Sequence, residues 1–330
     1  MSSCVTFRHA EFSDADAIIG FLNEYWGSQH PLVNRPEFFS FYYQASGKLQ
    51  FVLAEENGEM LAVAGYILSN QCAVPDAWVS IWLAKKGKNG VGLELMEALP
   101  RLANVRVLAC NNIRPKTMAF YRFLGWHADR IHHFYRLAKR DNYRLVQNAP
   151  SVSEQVFDSN VTLQHVDSDE KLFALGLPRT ENLPHKDLWY IARRYFHFPH
   201  QSYDVWAVMD GETLLAYLVT RTNPVAECNA TMLRIVDFIG QPDTFAALGG
   251  VIGQLMQQCD AEVTDCYCAG IDKDIFSRAG FLERCEEDAV VVPNYLNPPL
   301  FENIEYYYFT NHPENFVLFK ADGDQDRPNL

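Results

Sequence analysis

A glycine-rich turn is the stretch of this sequence best suited to bind a charged ligand. Residues 87–92 read Gly-Lys-Asn-Gly-Val-Gly, follow an apolar strand-like run at 78–83, and lead directly into a predicted helix at 91–102. Backbone N–H groups in the first turn of a helix have no partner within it, and the helix dipole adds positive potential there. Because glycines leave this position open, the turn predicts a phosphate-binding site.

The composition of the chain limits the classes of function. It has 330 residues, a formal net charge of -13, 48% apolar residues and 21% charged residues, which describes a globular protein large enough for two domains. The acidic balance argues against nucleic acid as a partner, because phosphate neutralisation needs clustered Lys and Arg. The sequence has neither an apolar run of about 20 residues nor a signal-like N-terminus, which predicts a cytoplasmic protein without a membrane segment.

The cysteines and histidines form no metal-binding pattern. None of the 8 cysteines forms a C-x-x-C pair, and most lie in strand-like apolar runs, so we expect buried, reduced thiols. His197 and His200 are close in sequence but have no third ligand nearby. We therefore predict that the protein binds no metal.

The glycine turn lies within an alternating series of predicted strands and helices. Ser13, with Asp16 three residues later, is predicted to cap a first helix, and Pro36 is predicted to begin a second, aromatic one. Asn57-Gly58 predicts a tight hairpin turn. Strands are predicted at residues 4–9, 50–55, 60–68, 77–83, 105–110 and 127–137, with a further helix at 115–124.

The same order of elements recurs in the second half of the chain. The elements predicted there are a helix at 187–196, a hairpin at 203–209 and 214–220, a strand at 232–239, a helix at 245–258, a strand at 263–268 and a helix at 273–279. The spacing between the hairpin glycines Gly58 and Gly211 nearly equals the spacing between the helix-end glycines Gly125 and Gly280. Two pairs of glycines separated by nearly the same number of residues indicate two copies of one fold.

We therefore predict an α/β (α+β) protein with two tandem domains, residues 1–150 and 151–330. Each domain is expected to hold a mixed, mostly antiparallel sheet flanked by helices. The boundary is placed in the polar stretch 147–159. Composition alone predicts that the polar, proline-containing residues 322–329 form a frayed tail.

The first half resembles the GCN5-related N-acetyltransferases in its element order and in two motifs. Their phosphate turn reads Gln/Arg-x-x-Gly-x-Gly/Ala, and residues 87–92 match both later glycines, with Gly87 at the Gln/Arg position. Their second motif, an aromatic pair followed by a basic stretch and Leu-Gly-Phe, is matched by Phe-Tyr-Arg-Phe-Leu-Gly-Trp at 120–126. Arg114 and Thr117 stand where that motif usually has Asn and Ala.

The resemblance implies that acyl-coenzyme A, either acetyl-CoA or 3-hydroxybutanoyl-CoA, is the co-substrate. It would lie between two diverging strands with its diphosphate on the glycine turn. The coenzyme-binding residues implied in this way are Ile81, Trp82, Leu83, Lys86, Gly87, Lys88, Asn89, Gly90, Val91, Gly92 and Asn112. The second half has Pro242 and Asp243 where its glycine turn would lie, so it is predicted to hold the acceptor and no coenzyme.

Three residues are candidates for proton transfer. The resemblance implies that Tyr121 approaches the sulfur of the coenzyme. A phenol with a pKa of ~10 stays protonated at neutral pH and can donate a proton to the departing thiolate. The alternative is that Tyr121 only packs its helix against the sheet. Asp237, in an apolar strand, either orients or deprotonates the acceptor amine or is a structural carboxylate paired with Arg234 or the backbone. His30 is either a second base or a solvated loop histidine.

A closer resemblance covers nearly the whole chain. Residues 233–240 and 322–329 resemble paired-domain sugar N-acyltransferases of the dTDP-3-amino-3,6-dideoxyhexose N-(3-hydroxybutanoyl)transferase type. This implies transfer to the amine of a nucleotide-linked deoxyamino sugar, for surface polysaccharide such as O-antigen. The acceptor-binding residues we predict are Arg221, Asn294, Tyr295, Asp324 and Arg327.

Two other functions remain open at this point. A paired-domain aminoacyl transferase would use aminoacyl-tRNA, which the acidic balance of the chain disfavours. A non-catalytic protein that binds coenzyme A or a sugar nucleotide is favoured by the altered motif position at Gly87. The expected partners are small molecules, with a homodimer also possible.

Overall fold

The computed structural model of the chain describes residues 5–26, 30–87, 90–153 and 155–328. The helices are α1 (Ala15–Trp26), α2 (Pro31–Asn34), α3 (Pro36–Tyr43), α4 (Val91–Ala103), α5 (Met118–Phe123), α6 (Asp169–Leu175), α7 (Leu188–Ile191), α8 (Gly249–Gln258) and α9 (Lys273–Arg278). The strands are β1 (Thr6–His9), β2 (Gln44–Ala45), β3 (Lys48–Leu49), β4 (Phe51–Glu56), β5 (Glu59–Leu68), β6 (Ala77–Ala84), β7 (Leu108–Ile113), β8 (His127–Leu137), β9 (Thr162–Val166), β10 (Asp204–Asp210), β11 (Thr213–Val225), β12 (Ala230–Gly240), β13 (Ala261–Ala269), β14 (Leu282–Arg284), β15 (Tyr306–Thr310) and β16 (Leu318–Phe319).

One mixed sheet runs through the described chain. Its order is β1-β4-β5-β6-β7-β15-β8-β13-β12-β11-β10-β9, with β14 and β16 attached to β8 and β13. Most neighbours are antiparallel, and the parallel pairs are β6 with β7 and β12 with β13. The predicted fold class, a mostly antiparallel sheet flanked by helices, is confirmed. The division into domains 1–150 and 151–330 stays a prediction, because the sheet continues through both parts.

A strand from the end of the chain completes the first half of the sheet. Strand β15 lies between β7 and β8 and pairs antiparallel with both, through Phe309↔Cys110 on one side and Phe309↔Ala128 on the other. The other edge of β8 pairs with β13 of the second half, for example at Tyr135↔Asp265. The core of the protein is therefore shared between residues distant in sequence.

Helices cover both faces of the sheet. Helix α4 buries Leu95, Met96 and Leu99 against β4, β5 and β6, as the apolar spacing of these residues predicts. Helices α1 and α3 bury an aromatic layer on the opposite face, including Phe38 and Tyr43. Full burial of each such side chain stabilises the fold by about 1.5–3 kcal/mol. This packing fixes the edges of β6 and β7, which hold the candidate site.

The prediction of a frayed C-terminal tail is wrong. Asp322, Asp324 and Asp326 are each less than 9% exposed. The carboxylates of Asp322 and Asp326 pair with Lys186 and Arg221 at 2.7 and 2.8 Å. Buried charges persist only when they are paired, and these partners lie more than a hundred residues earlier, beyond the reach of a local sequence pattern.

Other sequence predictions are corrected in detail. Helix α1 follows a 3-10 turn (Phe12–Asp14) whose capping box is formed by Glu11 and Asp14, not by Ser13 and Asp16. Among the described cysteines, Cys72 and Cys285 are exposed rather than buried. Within the described ranges, the helices are all too short or too polar to cross a membrane.

Candidate active site

Strands β6 and β7 diverge shortly after they begin. They pair in parallel only at Ala77↔Leu108 and Trp78↔Ala109. Beyond these pairs, β6 continues along β5 to Ala84, while β7 continues along β15 to Ile113. Two parallel strands that separate leave backbone groups on their facing edges for an extended ligand. The predicted coenzyme residues Ile81, Trp82 and Leu83 lie on β6 beyond this point of divergence.

The glycine turn lies at the end of β6 and leads into α4. Gly87 and Gly90 have φ angles of +85° and +91°, which favour glycine, and both are exposed. Val91 begins α4, so the free N–H groups of its first turn lie at this position. Lys86 is exposed beside them. Lys88 and Asn89, also predicted to bind the coenzyme, lie outside the described residues.

Gly92 has a packing role within the same turn. Its carbonyl oxygen accepts a hydrogen bond from Trp82 Nε1 at 3.2 Å. A Cβ atom at this position would lie 2.9 Å from Ala84 Cβ and 3.4 Å from Trp82 Cζ2. The absence of a side chain therefore lets the first turn of α4 pack directly against β6, which places the helix N-terminus beside the diverging strands.

We expect Gly92→Ala to destabilise the protein by about 1–3 kcal/mol, because the added methyl group overpacks the contact between α4 and β6. The displaced helix N-terminus should also weaken coenzyme A binding. Urea unfolding and calorimetric titration with coenzyme A measure the two effects. Gly20→Ala is the control, because Gly20 is exposed in α1 with open space around it and should be neutral or stabilising by up to ~1 kcal/mol. Equal losses of stability in both variants would contradict the packing role of Gly92.

Tyr121 lies in α5 and faces the diverging strands. Its ring stacks on Phe309 of β15 at a centroid distance of 4.0 Å and lies 6.3 Å from the ring of Trp82 on β6. The side chain is buried, which raises the pKa of Tyr121 above its ordinary value because the phenolate would lose its hydration. The hydroxyl group therefore stays protonated at neutral pH and can act only as a proton donor there.

His30 and Arg327 lie together at one end of the buried C-terminal segment, which we define as residues 319–328. His30 stacks on Trp26 at 4.4 Å, and its Nε2 atom lies 3.5 Å from Arg327 Nη2. Burial, with the nearby guanidinium group, lowers the pKa of His30. Arg327 also contacts the Asp324 carboxylate at 3.1 Å. The structure thus brings together three of the predicted site residues, and His30 is half-buried rather than solvated.

Strand β7 is fastened to the same segment by two neighbouring asparagines. Asn111 is buried, and its Nδ2 atom lies 3.2 Å from the carbonyl oxygens of Phe319, Lys320 and Asp322. Asn112, one of the predicted coenzyme residues, is exposed and donates to Gln325 Oε1 at 3.2 Å. The C-terminal segment therefore lies directly against the diverging end of β7.

The C-terminal segment also forms one wall of a cavity of about 650 Å³. Four of the predicted acceptor residues line it, namely Arg221, Asn294, Tyr295 and Arg327. Asp324 does not line it but pairs with Arg327. Lining side chains also come from Arg234, Lys320 and Gln325, so Gln325 touches both this cavity and Asn112. Gln325 therefore lies between this cavity and the end of β7.

The cavity wall carries more positive than negative side chains. Three cationic side chains line it, Arg221, Arg234 and Arg327, together with the amine of Lys320, against the carboxylates of Glu227 and Asp326. Two polar atoms in this region are buried without a hydrogen-bond partner in the described chain, Arg221 Nε and Asn294 Oδ1. Unpaired buried polar atoms are costly unless a ligand or water satisfies them. In a chain with a net charge of -13, this wall is suited to an anionic ligand.

Comparison with known proteins agrees with this geometry. The sequence matches no protein-family model and no curated protein. The structure is similar to a GCN5-related N-acetyltransferase from Anabaena variabilis, with a TM-score of 0.56 and 11% identity over 93% of this chain and 72% of that one. The chain has the fold of the GCN5-related N-acetyltransferases.

Two further solved structures share this acetyltransferase fold. A protein of unknown function from Enterococcus faecalis, described as a probable N-acyltransferase, has a TM-score of 0.55 and 14% identity, over 94% of this chain and 74% of that one. A GCN5-related N-acetyltransferase from Kribbella flavida has a TM-score of 0.52 and 14% identity, over 94% and 71%. These likenesses span both halves of the chain.

The second half repeats the diverging strands of the acetyltransferase fold, but its gap is filled. Strands β12 and β13 pair in parallel up to Ile235↔Cys266. Beyond that point, β16 pairs with β13 through Phe319↔Cys268, and the Ala321 N–H donates to the Val236 carbonyl at 2.9 Å. The chain itself therefore occupies the position that an extended ligand could take between these strands.

Asp237 lies in this filled gap, inside a fully buried ion cluster that we call the lysine triad (Lys186, Asp237 and Asp322). Lys186 Nζ lies 2.6 Å from Asp237 and 2.7 Å from Asp322. Tyr195 donates to the other Asp237 oxygen at 2.5 Å. Burial, together with the adjacent Asp237, raises the pKa of Asp322 to about 6. Because both Asp237 oxygens are bonded and enclosed, Asp237 has no access to an acceptor amine in this structure.

Sequence reasoning missed several residues of this region. Asn111, Lys320 and Gln325 connect β7 to the cavity, and Lys186 neutralises Asp237. The sequence signal for Lys186 and Lys320 was weak, because a single lysine near a strand usually faces solvent. Arg234, the alternative partner of Asp237, instead binds Asp265 at 2.7 and 2.8 Å.

Proposed function

We propose that the chain is an acyl-CoA-dependent N-acyltransferase. The observation that carries this proposal is the position of the diverging strands β6 and β7 between the glycine turn at the start of α4 and the cationic cavity. The diphosphate of the coenzyme would lie on the first turn of α4, and its pantetheine chain along Ile81, Trp82 and Leu83. Its thioester would then reach the end of β7, close to Asn112.

We propose that the acceptor is the amine of a nucleotide-linked deoxyamino sugar, such as a dTDP-amino sugar used for surface polysaccharide. A cavity of about 650 Å³ has the size of a typical small-molecule site. Its excess of cationic side chains suits a diphosphate, and Tyr295, which is 42% exposed, offers a face for a base or sugar to stack upon. The 151–330 region then binds the acceptor, while the 1–150 region binds the donor.

The reaction we propose is direct attack in a ternary complex. The acceptor nitrogen forms a bond to the thioester carbon, the C–S bond breaks, and Tyr121 donates its hydroxyl proton to the departing thiolate. Holding the two reactants side by side supplies much of the rate. A backbone N–H of β6 beyond the point of divergence would stabilise the oxyanion.

The proposal is tested in two steps with the full chain. Calorimetric titration with coenzyme A should show binding, and the absence of heat and of a thermal shift at millimolar ligand would refute the enzyme proposal. Mass spectrometry then follows acyl transfer from acetyl-CoA and 3-hydroxybutanoyl-CoA to dTDP-amino sugars and to free amino sugars. A mobility shift with tRNA tests the competing function, an aminoacyl transferase that uses aminoacyl-tRNA. Transfer that is equally efficient to free amino sugars would refute the nucleotide-linked acceptor.

Arg327→Gln sharpens the test of the acceptor site. The variant should raise KM for a nucleotide-linked acceptor about tenfold, because one charge-assisted hydrogen bond to the diphosphate is lost, while coenzyme binding stays the same. Arg278→Gln is the matched control, since Arg278 is exposed and lies in α9 outside the cavity lining. An unchanged KM in the Arg327 variant would exclude this side chain from acceptor binding.

A further inference from the structure

Lys320 places its amine in the acceptor cavity. Its carbonyl oxygen is held by the Asn111 side chain of β7 at 3.2 Å, which fixes the backbone beside the diverging strands. Its side chain lines the cavity, and its Nζ atom lies 4.7 Å from the ring centroid of Tyr267 and 4.6 Å from that of Tyr306. The two rings hold the amine in one place within the wall.

The charged groups around Lys320 are already paired with one another. Arg234 on β12 binds Asp265 on β13, and Arg221 on β11 binds Asp326 in the C-terminal segment. In the described part of the chain, no carboxylate lies within 4.0 Å of Lys320 Nζ. A half-buried ammonium group without a carboxylate partner, next to two guanidinium groups, is unfavourable.

The faces of the two rings attract an ammonium group, but burial outweighs this attraction and shifts the lysine toward its neutral form. Burial is the main cause, with Arg234 adding repulsion, and together they lower the pKa of Lys320 to about 7. A lysine in water has a pKa of about 10.4. A general base works best when its pKa lies near the operating pH, so this amine has the properties that proton removal at neutral pH requires.

We propose that Lys320 is the proton acceptor for the attacking amine, a role that rests on the proposed N-acyltransferase function. As the C–N bond forms and the C–S bond breaks, the proton leaving the acceptor nitrogen moves to Lys320 Nζ, which becomes an ammonium group. The thiolate takes its proton from Tyr121. Lys320 then releases its proton to solvent and Tyr121 regains one, so that protons balance over the cycle.

The other candidates are less suited to this role. Asp237 is enclosed in the lysine triad with both oxygens bonded. His30 accepts a hydrogen bond from the Leu32 N–H at its Nδ1 atom and faces Arg327 at its Nε2 atom, so a positive charge on the ring is disfavoured. Lys320 can gain a proton inside a cavity that also holds the acceptor.

The first test measures the Lys320 amine in the unmodified protein, independently of turnover. Competitive labelling with trace acetic anhydride, read by mass spectrometry across pH, reports how each lysine titrates. We expect half-maximal reactivity of Lys320 near pH 7, at least about two pH units below that of a lysine in water. A Lys320 that titrates like a lysine in water would overturn the proposal.

The second test compares Lys320→Met and Lys320→Arg with Lys273→Met as control. Wild-type kcat should rise with pH through about 7, because the lysine must lose its proton first. Both Lys320 variants should lose roughly a hundredfold in kcat at pH 7 and show no rise there, while coenzyme affinity is kept. The control should match the wild type.

The two proposals fail in different ways. If the wild type transfers acyl groups and the Lys320 variants keep both its kcat and its pH profile, the role of Lys320 is refuted and the enzyme function stands. If the wild type binds coenzyme A but acylates no amine, the proposed function fails, and the role of Lys320 falls with it. Unfolding of a variant is recognised from its thermal melt. In that case the labelling result on the wild type decides whether the role of Lys320 stands.

Discussion

Replacing Tyr121 with Phe is expected to lower kcat about a thousandfold while the dissociation constant of acyl-coenzyme A changes by less than about twofold. The hydroxyl group is the part of this side chain that can donate a proton to the thiolate. The ring, which stacks on Phe309 and adjoins Trp82, is retained in the variant, so the packing of α5 is kept. Steady-state kinetics and calorimetric titration separate the two effects.

Tyr143→Phe is the matched control for this prediction. This substitution likewise removes one phenol hydroxyl, which donates to the Ala138 carbonyl at 2.6 Å, but Tyr143 packs in a different part of the core. We expect its kcat to stay within about twofold of the wild type. If Tyr121→Phe kept full turnover, the residue would have only a packing role, which is the alternative that the sequence left open.

Replacing Lys186 with Met is expected to destabilise the protein by about 3–5 kcal/mol. The ammonium group of Lys186 neutralises two carboxylates, Asp237 and Asp322, that have no exposed surface. Without it, two like charges remain buried side by side or must take up protons. Since typical proteins are stable by only about 5–15 kcal/mol, this one substitution removes a large share of the total.

Urea unfolding measures this loss, and Lys171→Met provides the comparison. Lys171 forms an ion pair with Asp167 at 2.8 Å, but both side chains are about half exposed. Water screens such a pair, so we expect its loss to cost less than about 0.5 kcal/mol. Similar losses of unfolding free energy in the two variants would show that the lysine triad contributes no more stability than a surface ion pair.

Local features of the fold could be predicted from the sequence. The Asn57-Gly58 turn has positive φ angles at both residues, as a tight hairpin requires. The strand from His127 to Leu137 has the predicted bounds. Gly90 and Gly92 were identified from the motif, and the structure adds the reason for Gly92, its contact with Ala84 and Trp82. In each case neighbouring residues carry the information.

Long-range pairings could not be predicted in this way. Strand β15 is an ordinary aromatic strand in sequence, and nothing nearby indicates that it lies between β7 and β8. The Asp-rich segment 322–326 is polar by composition, and its burial depends on partners distant in sequence, among them Arg194, Arg221 and Lys186. The predicted acceptor residues Arg221, Asn294 and Arg327 come together for the same reason, through the path of the C-terminal segment.

The insertion of β15 has a consequence for folding during synthesis on the ribosome. Until residues 306–310 have been translated, the facing edges of β7 and β8 lack the neighbour that later joins them. Bare sheet edges readily pair with other polypeptides, so the unfinished chain is prone to aggregation. Because these contacts join residues nearly two hundred positions apart, we expect slow final assembly and a need for chaperones during synthesis.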